Sequence, residues 1–185
     1  MRKTLYIFGL LALAVIAFIF VKNSKKEFIS FSDVTSVVYN DRGHNKNVED
    51  EFVRVVKDNK WGVAKKKNGE LVIPMEYDYI DNFYEGYAVV KKDEDYGTVD
   101  EKFNIVIQPK WKNISPFHLG YAVVVAPNGK SGVIDVNGKV IIAPLYYDYI
   151  SLFDNNFVAR AENFKDKKAV AIDLKGNIVK DFSKK

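Results

Sequence analysis

FVRVVKDNKWGVAKKKNGELVIPMEYDYIDNFYEG, residues 52–86, decides the fold, because it returns in register at 87–120 and 121–156, and a decayed copy fills 157–185. Gly62, Gly97 and Gly132 stand 35 residues apart, and so do Pro74, Pro109 and Pro144. Ile80, Ile114 and Ile150 follow nearly the same beat, as do Phe83, Phe117 and Phe153. Self-similarity at a period of tens of residues marks a repeat architecture, in which no copy buries its apolar face alone and neighbours stack to cover it.

Each copy reads as three strands. The first (52–57, 87–92, 121–126) is apolar on both faces, with Val55, Val90 and Val124 in equivalent places, so it belongs inside the array. The second carries a signature dipeptide, Trp61-Gly62, Tyr96-Gly97 or Ser131-Gly132. Asn68-Gly69 and Asn137-Gly138 then supply the positive φ that a hairpin turn wants, and Phe103-Asn104 stands in their place in the second copy, where Asn is the residue suited to it. The third strand is LVI, IVI or VII, and Pro74, Pro109 and Pro144 are expected to end it because proline cannot donate to a ladder. An aromatic corner follows: EYDYIDNF, KWKNISPF, YYDYISLF. In the last copy Val170 replaces the glycine and the proline is gone, as suits a capping unit with one face in solvent.

The expected fold is all-β: about 35-residue three-stranded meanders in an open, twisted array. A small closed propeller-like ring is the alternative, with the N-terminal partial unit 28–51 and the C-terminal half-unit together making a fourth blade. Within 28–51, FSDV echoes the YDYI of the full repeats, and 40–51 is a polar, turn-rich loop.

Residues 1–27 are expected to form a signal-anchor helix and linker, and 28–185 the β-repeat domain. From Leu5 to Val21 the chain is uncharged (LYIFGLLALAVIAFIFV), a helix of about 25 Å at 1.5 Å per residue. Lys22, Lys25 and Lys26 can snorkel to the bilayer interface, and no small-x-small site follows the run. The reading is an uncleaved membrane anchor with the β-domain outside the cytoplasm; secretion after signal cleavage is the alternative.

Of 28 Lys and Arg, five flank the apolar run, leaving 23 basic against 24 acidic residues, too little cationic surplus for a nucleic-acid partner. The chain has no Cys, and His44 and His118 lack the ligand spacing of a metal site, so neither metal nor cofactor is expected. Asp78 and Asp148 share one repeat place, and Asp100, Asp135 and Asp173 another. Paired carboxylates could serve a glycan hydrolase, but residues recurring at the repeat period are expected to accept backbone N–H bonds at corners. The candidate binding residues are aromatic: Tyr77, Tyr79, Trp111, Tyr146, Tyr147 and Tyr149, which stacked repeats would bring into rows able to hold sugar faces or proline-rich peptides. The alternative is that these rings pack inward.

The pattern F-V-x-V…K-W-G-V…N-G-x-x-V-I-P…Y-D-Y-I…F-x-E-G resembles the WG-repeat family of bacterial β-repeat proteins over roughly 52–176. The first copy matches best, with Trp61-Gly62, Pro74, Tyr77-Asp78 and Glu85-Gly86; Tyr96 and Ser131 depart at the Trp place, Lys112 at the Asp place and Asn156 at the Gly place. The resemblance implies a β-repeat scaffold, often exported or membrane-associated, with no common catalytic residues and no stated ligand. The expected function is thus a membrane-anchored, extracytoplasmic binding or scaffold protein contacting protein or glycan, not an enzyme. A hydrolase or a purely oligomerising domain are the alternatives.

Overall fold

A computed structural model describes residues 26–38 and 51–183. The apolar run from Leu5 to Val21, His44 and nearly all of the 40–51 loop lie outside the described residues. Among the described residues no helix is long and apolar enough to cross a membrane.

Tyr77 and Tyr79, two residues apart in one aromatic corner, belong to different sheets. The first sheet is β1 (Ser36–Val38), β2 (Phe52–Lys57), β3 (Lys60–Lys65) and β4 (Leu71–Tyr77); the second is β5 (Tyr79–Tyr84), β6 (Tyr87–Lys92), β7 (Asp95–Asp100) and β8 (Ile105–Trp111). The third is β9 (Asn113–Ile114), β10 (Tyr121–Val125), β11 (Ser131–Asp135) and β12 (Val140–Ile142); the fourth is β13 (Tyr149–Ile150), β14 (Val158–Asn163), β15 (Lys168–Asp173) and β16 (Ile178–Asp181). Each is an antiparallel meander of four strands, not three. The aromatic corner supplies the extra strand of the second, third and fourth sheets, opening the sheet that follows it, and the N-terminal partial unit supplies that of the first. Sequence repeat and sheet are therefore out of phase, with the change of sheet at Asp78, Lys112 and in the stretch ending at Asp148.

The two-faced apolar strand is interior in every sheet: Val55, Val90 and Val124 are fully buried. Successive sheets share cores. Val63, Ile73 and Tyr77 of the first meet Ile80, Ala88, Val90 and Val99 of the second. Ile107 and Trp111 of the second meet Ile114, Ala122 and Val124 of the third. Val133 and Ile142 of the third meet Ala159, Ala161, Val170 and Ile172 of the fourth. The second and third sheets thus each spend one face on the predecessor and one on the successor.

The array's ends are treated differently. The outer face of the first sheet (Val53, Val55, Ala64) is covered by Ile29 and Val34 from the N-terminal segment. That segment does not make half of a shared fourth blade, as the ring alternative required: β1 pairs with β2, Val37 opposite Val55, and the fourth sheet is complete from its own strands. On the fourth sheet, register places Arg160 where the third has Val123, and Lys180 where it has Ile142. Glu162 falls in line with Val125. Arg160 pairs with Glu162 at 2.6 Å and lies over the Phe182 ring. A face that is apolar inside the array is charged where the array stops, the form expected of a terminal repeat.

The glycines Gly62, Gly97 and Gly132 share one backbone setting. A Cβ on any of them would collide with the carbonyl oxygen of Ile73, Ile107 or Ile142, at 2.8, 2.3 and 2.6 Å. The cause is a bulge: between Trp61↔Tyr77 and Val63↔Ile73, one residue of β3 faces three of β4, and the second sheet repeats this. Two expectations change as a result. The prolines do not end β4 or β8, which run through Pro74 and Pro109 at the bulge; only β12 stops short of Pro144. Nor are the prolines equivalent, since the nitrogen beneath the glycine belongs to Pro109 and Pro144 but to Met75 in the first sheet. In the fourth sheet Val170 pairs directly with Asp181, no bulge presses on it, and a side chain fits. The turn after β7 also differs from expectation, because Phe103, not Asn104, takes positive φ (64°). Its ring is wedged against Phe52 and Phe83, which holds an otherwise unfavourable backbone.

The N-terminal segment is hydrogen-bonded as well as packed. Leu71 N–H donates to Glu27 O (2.8 Å) and Ile29 N–H to Gly69 O (2.9 Å), with Phe28 bridging Glu70. The Glu70 carboxylate sits 2.8 Å from both Lys26 Nζ and Lys65 Nζ. These two ammonium groups lower its pKa from 4.5 to about 2. A depressed carboxylate pKa stabilises the fold fully above the unfolded value, and that stability is lost as pH falls through the folded one. In urea melts, the advantage of the parent over Glu70→Gln is expected to shrink between pH 4.5 and about 2. A constant difference across that window would show that the cluster does not fasten the segment.

Candidate functional site

At each change of sheet the chain turns through one cross-strand pair and one ion pair. Trp61 faces Tyr77 and Lys60 meets Asp78 (2.6 Å) in the first; Ser131 N–H donates to Tyr147 O and Lys130 meets Asp148 (2.7 Å) in the third. In the second, both pairs are inverted: Tyr96 faces Trp111, and Asp95 meets Lys112 at 2.8 Å. Tyr96 in the Trp place and Lys112 in the Asp place are thus one compensated exchange across two strands. Where Ser131 replaces the large ring, its hydroxyl donates to Asp148 O (3.0 Å).

This geometry sets what the repeated carboxylates can do. The Lys60 ammonium holds Asp78 below its usual range; Lys130 and the Phe164 N–H do the same to Asp148. A general acid needs the opposite shift. Asp100, Asp135 and Asp173 each accept two backbone N–H bonds at 2.8 or 2.9 Å from residues two and four ahead, closing the turn that follows. Asp154 accepts in the same pattern from Asn156 N–H (2.9 Å) and Val158 N–H (3.0 Å). Among the described residues no cluster of three or more His, Asp and Glu could hold a metal.

The six candidate rings separate by position. Tyr77 and Trp111 are buried between sheets and have no face to offer a ligand, a correction to the binding role expected of them. Burial raises the Tyr77 phenol pKa. Tyr147 is half-buried in the core between the third and fourth sheets. Tyr79, Tyr146 and Tyr149 are exposed. Tyr79 lies edge-on to Trp61 (5.4 Å), with Asn113 at its place in the third sheet, so the rings do not form a continuous row.

What the structure does bring together is the 143–148 stretch and the β14–β15 turn. Tyr146 O–H donates to Asp166 (2.8 Å), Asn163 Nδ2 to Tyr146 O (2.7 Å) and Phe164 N–H to Asp148 (2.7 Å). On the other side Asn128 Nδ2 donates to Pro144 O (3.1 Å). Held between two hairpins, this stretch presents Leu145, 74% exposed, and the turn bonded to it presents Phe164, 63% exposed. Sequence reading found the doubled Tyr146-Tyr147 but missed Leu145 and Phe164. The signal available was an apolar residue directly after Pro144 and another inside the polar turn NFKDKK.

The model of the WG-containing repeat family matches three successive segments, 62–94, 96–130 and 132–168, more than half of the chain. No curated protein matches. Solved structures similar to this chain include Kluyveromyces lactis Hsv2, at 12% identity and TM-score 0.49 over 81% of this chain and 51% of that one. A structure of HIRA residues 644–1017 aligns at 11% identity and TM-score 0.46, over 87% of this chain and 60% of that one. The computationally designed Ika4 protein aligns at 15% identity and TM-score 0.39, over 80% and 98%. The chain spans about half the length of Hsv2. Likenesses of this depth carry no argument about function.

Proposed function

The chain belongs to the WG-containing repeat family, and on that premise we propose that it is a membrane-tethered binding scaffold, an open-ended stack of sheets held outside the cytoplasm. The observation that carries the reading is the pair of exposed apolar side chains Leu145 and Phe164, on two segments fixed to one another by hydrogen bonds yet covered by nothing described. Large exposed apolar side chains on a rigid frame are the usual form of a protein contact site. The openness of the stack is supported by its two unlike ends, one covered by Ile29 and Val34, the other charged at Arg160 and Lys180. Tethering is supported by the sequence alone. Only four residues separate Val21 from Lys26, where the first sheet takes hold of the chain, a span of at most about 18 Å.

One strain tests both halves. A photo-crosslinking amino acid at Leu145 is expected to give a discrete adduct in living cells, while the same group at Asp58, on the exposed β2–β3 turn, gives none. Protease added outside the cytoplasmic membrane is expected to remove the domain. Equal crosslinking from both positions would remove the patch from consideration, and protection until lysis would place the domain in the cytoplasm.

A further inference from the structure

The first sheet already binds a peptide strand, its own. Along the outer edge of β4, Gly69 O and Leu71 N–H hold Ile29 and Glu27, and an added Cβ at Gly69 would lie 2.1 Å from Ile29 O. Glycine there is what lets the segment approach. The same edge recurs in the other sheets with different occupants. In the second, Phe103 stands at the glycine place and packs against Phe52. In the third, the space beside Gly138 is taken by Ile107 of the preceding sheet, 3.1 Å from where a Cβ would be. In the fourth, nothing among the described residues lies within 4 Å of that point on Gly176.

The edge of β16 is set up as that of β4 is. Lys65 N–H donates to Glu70 O and Asp173 N–H to Asn177 O, so both chains face inward at matching residues. Successive residues of a strand direct their backbone groups to opposite sides, so Ile178 turns its N–H and C=O outward, as Leu71 does. β16 ends its sheet's order. Ile178 and Val179 are 47% and 54% exposed. The surroundings carry a cationic excess: the described residues from Phe157 onward include six basic and four acidic ones, Lys175 and Lys180 are exposed on this strand and its turn, and the carboxylates of Asp173 and Asp181 beside them are taken up by backbone N–H groups.

We propose that the outer edge of β16, at Gly176 and Ile178, is a docking site for an extended acidic peptide segment of a partner protein, bound as an added antiparallel strand. The template for its sequence is Glu27-Phe28-Ile29, an acidic residue followed by an aromatic and a β-branched one. Backbone bonds to Gly176 O and Ile178 N–H hold the strand, Ile178 and Val179 contact its apolar residues, and Lys175 and Lys180 select for acid. This rests on the binding-scaffold reading but not on the Leu145 patch.

The test uses full-length protein in detergent and two fluorescein-labelled peptides, EEEFISF and KKEFISF, followed by anisotropy. The acidic peptide is expected to bind at least about tenfold more tightly, with the preference falling as salt is raised. Ile178→Pro removes an outward N–H that takes part in no ladder bond and is expected to abolish binding. Lys180→Glu leaves every backbone bond in place, so it keeps the test decisive if the proline variant unfolds, and it is expected to erase the preference for acid. Equal binding of both peptides, parent-like binding by both variants, or crosslinks from position 178 to a second copy of this chain would each overturn the proposal. Loss of peptide binding with crosslinking from Leu145 intact would sink the edge site and leave the scaffold reading standing.

Discussion

Gly97→Ala is expected to destabilise the protein by about 3 kcal/mol, the upper end of what overpacking a closed interior costs, and to do so from a single methyl group. The added carbon would lie 2.3 Å from Ile107 O and 2.7 Å from Pro109 N, both backbone atoms held at the bulge of β8. A flexible side chain could swing aside; a bulge fixed by Tyr96↔Trp111 on one side and Thr98↔Ile107 on the other cannot. The effect should be graded. Gly132→Ala meets Ile142 O at 2.6 Å and Pro144 N at 2.9 Å, and should follow closely. Gly62→Ala meets Ile73 O at 2.8 Å and the movable Met75 Cγ at 2.7 Å, and should cost least. Urea midpoints of the three variants are the measurement. Equal midpoints, or no shift at Gly97, would show that the glycines are not what the bulge requires. The fourth sheet supplies the internal control, since Val170 occupies the same place opposite a regular partner.

That pairing of glycine with bulge also explains what the sequence could and could not disclose. The repeat, the interior strand and the capping character of the last copy were legible, because each follows from periodic apolar residues that must be covered. The extra strand of the second, third and fourth sheets was not. Tyr79-Ile80 sits in a stretch dense with Asp and Asn, and only its pairing with Lys91 and Val90 of the following copy makes it a strand. Prolines spaced at 35 looked like one landmark, yet Pro74 lies one place away from Pro109 and Pro144, because the bulge tolerates proline at either position. The aromatic corner was legible as important but not as to which way each ring faces. Tyr77 and Tyr79 differ by two residues, which in one strand would put them on the same side; a change of sheet between them puts one in the core and the other in solvent. The inverted pairs Lys60–Asp78 and Asp95–Lys112 read as departures from a motif until the register shows them to be partners.

Rebuilding the far face of the fourth sheet to match the third is expected to turn the protein into a dimer through that face. The variant is Arg160→Val, Glu162→Val, Lys180→Ile, which places Val123, Val125 and Ile142 equivalents on β14 and β16. Removing the Arg160–Glu162 pair itself should matter little to folding, since exposed ion pairs contribute at most about 1 kcal/mol. What changes is that a sheet face now carries a contiguous apolar surface with no successor to cover it. The only other end of the stack is already closed by Ile29 and Val34, so head-to-tail growth has no acceptor. The new faces can meet only each other, and an interface formed by the same patch on both copies closes on itself as a two-fold pair. Sedimentation velocity should therefore show the triple variant one doubling heavier than the parent, with the doubling reversed by dilution. Two other results would count against the charged face as the device that ends the array: unchanged sedimentation, or open-ended polymers, which would mean that the N-terminal segment does not seal the first sheet.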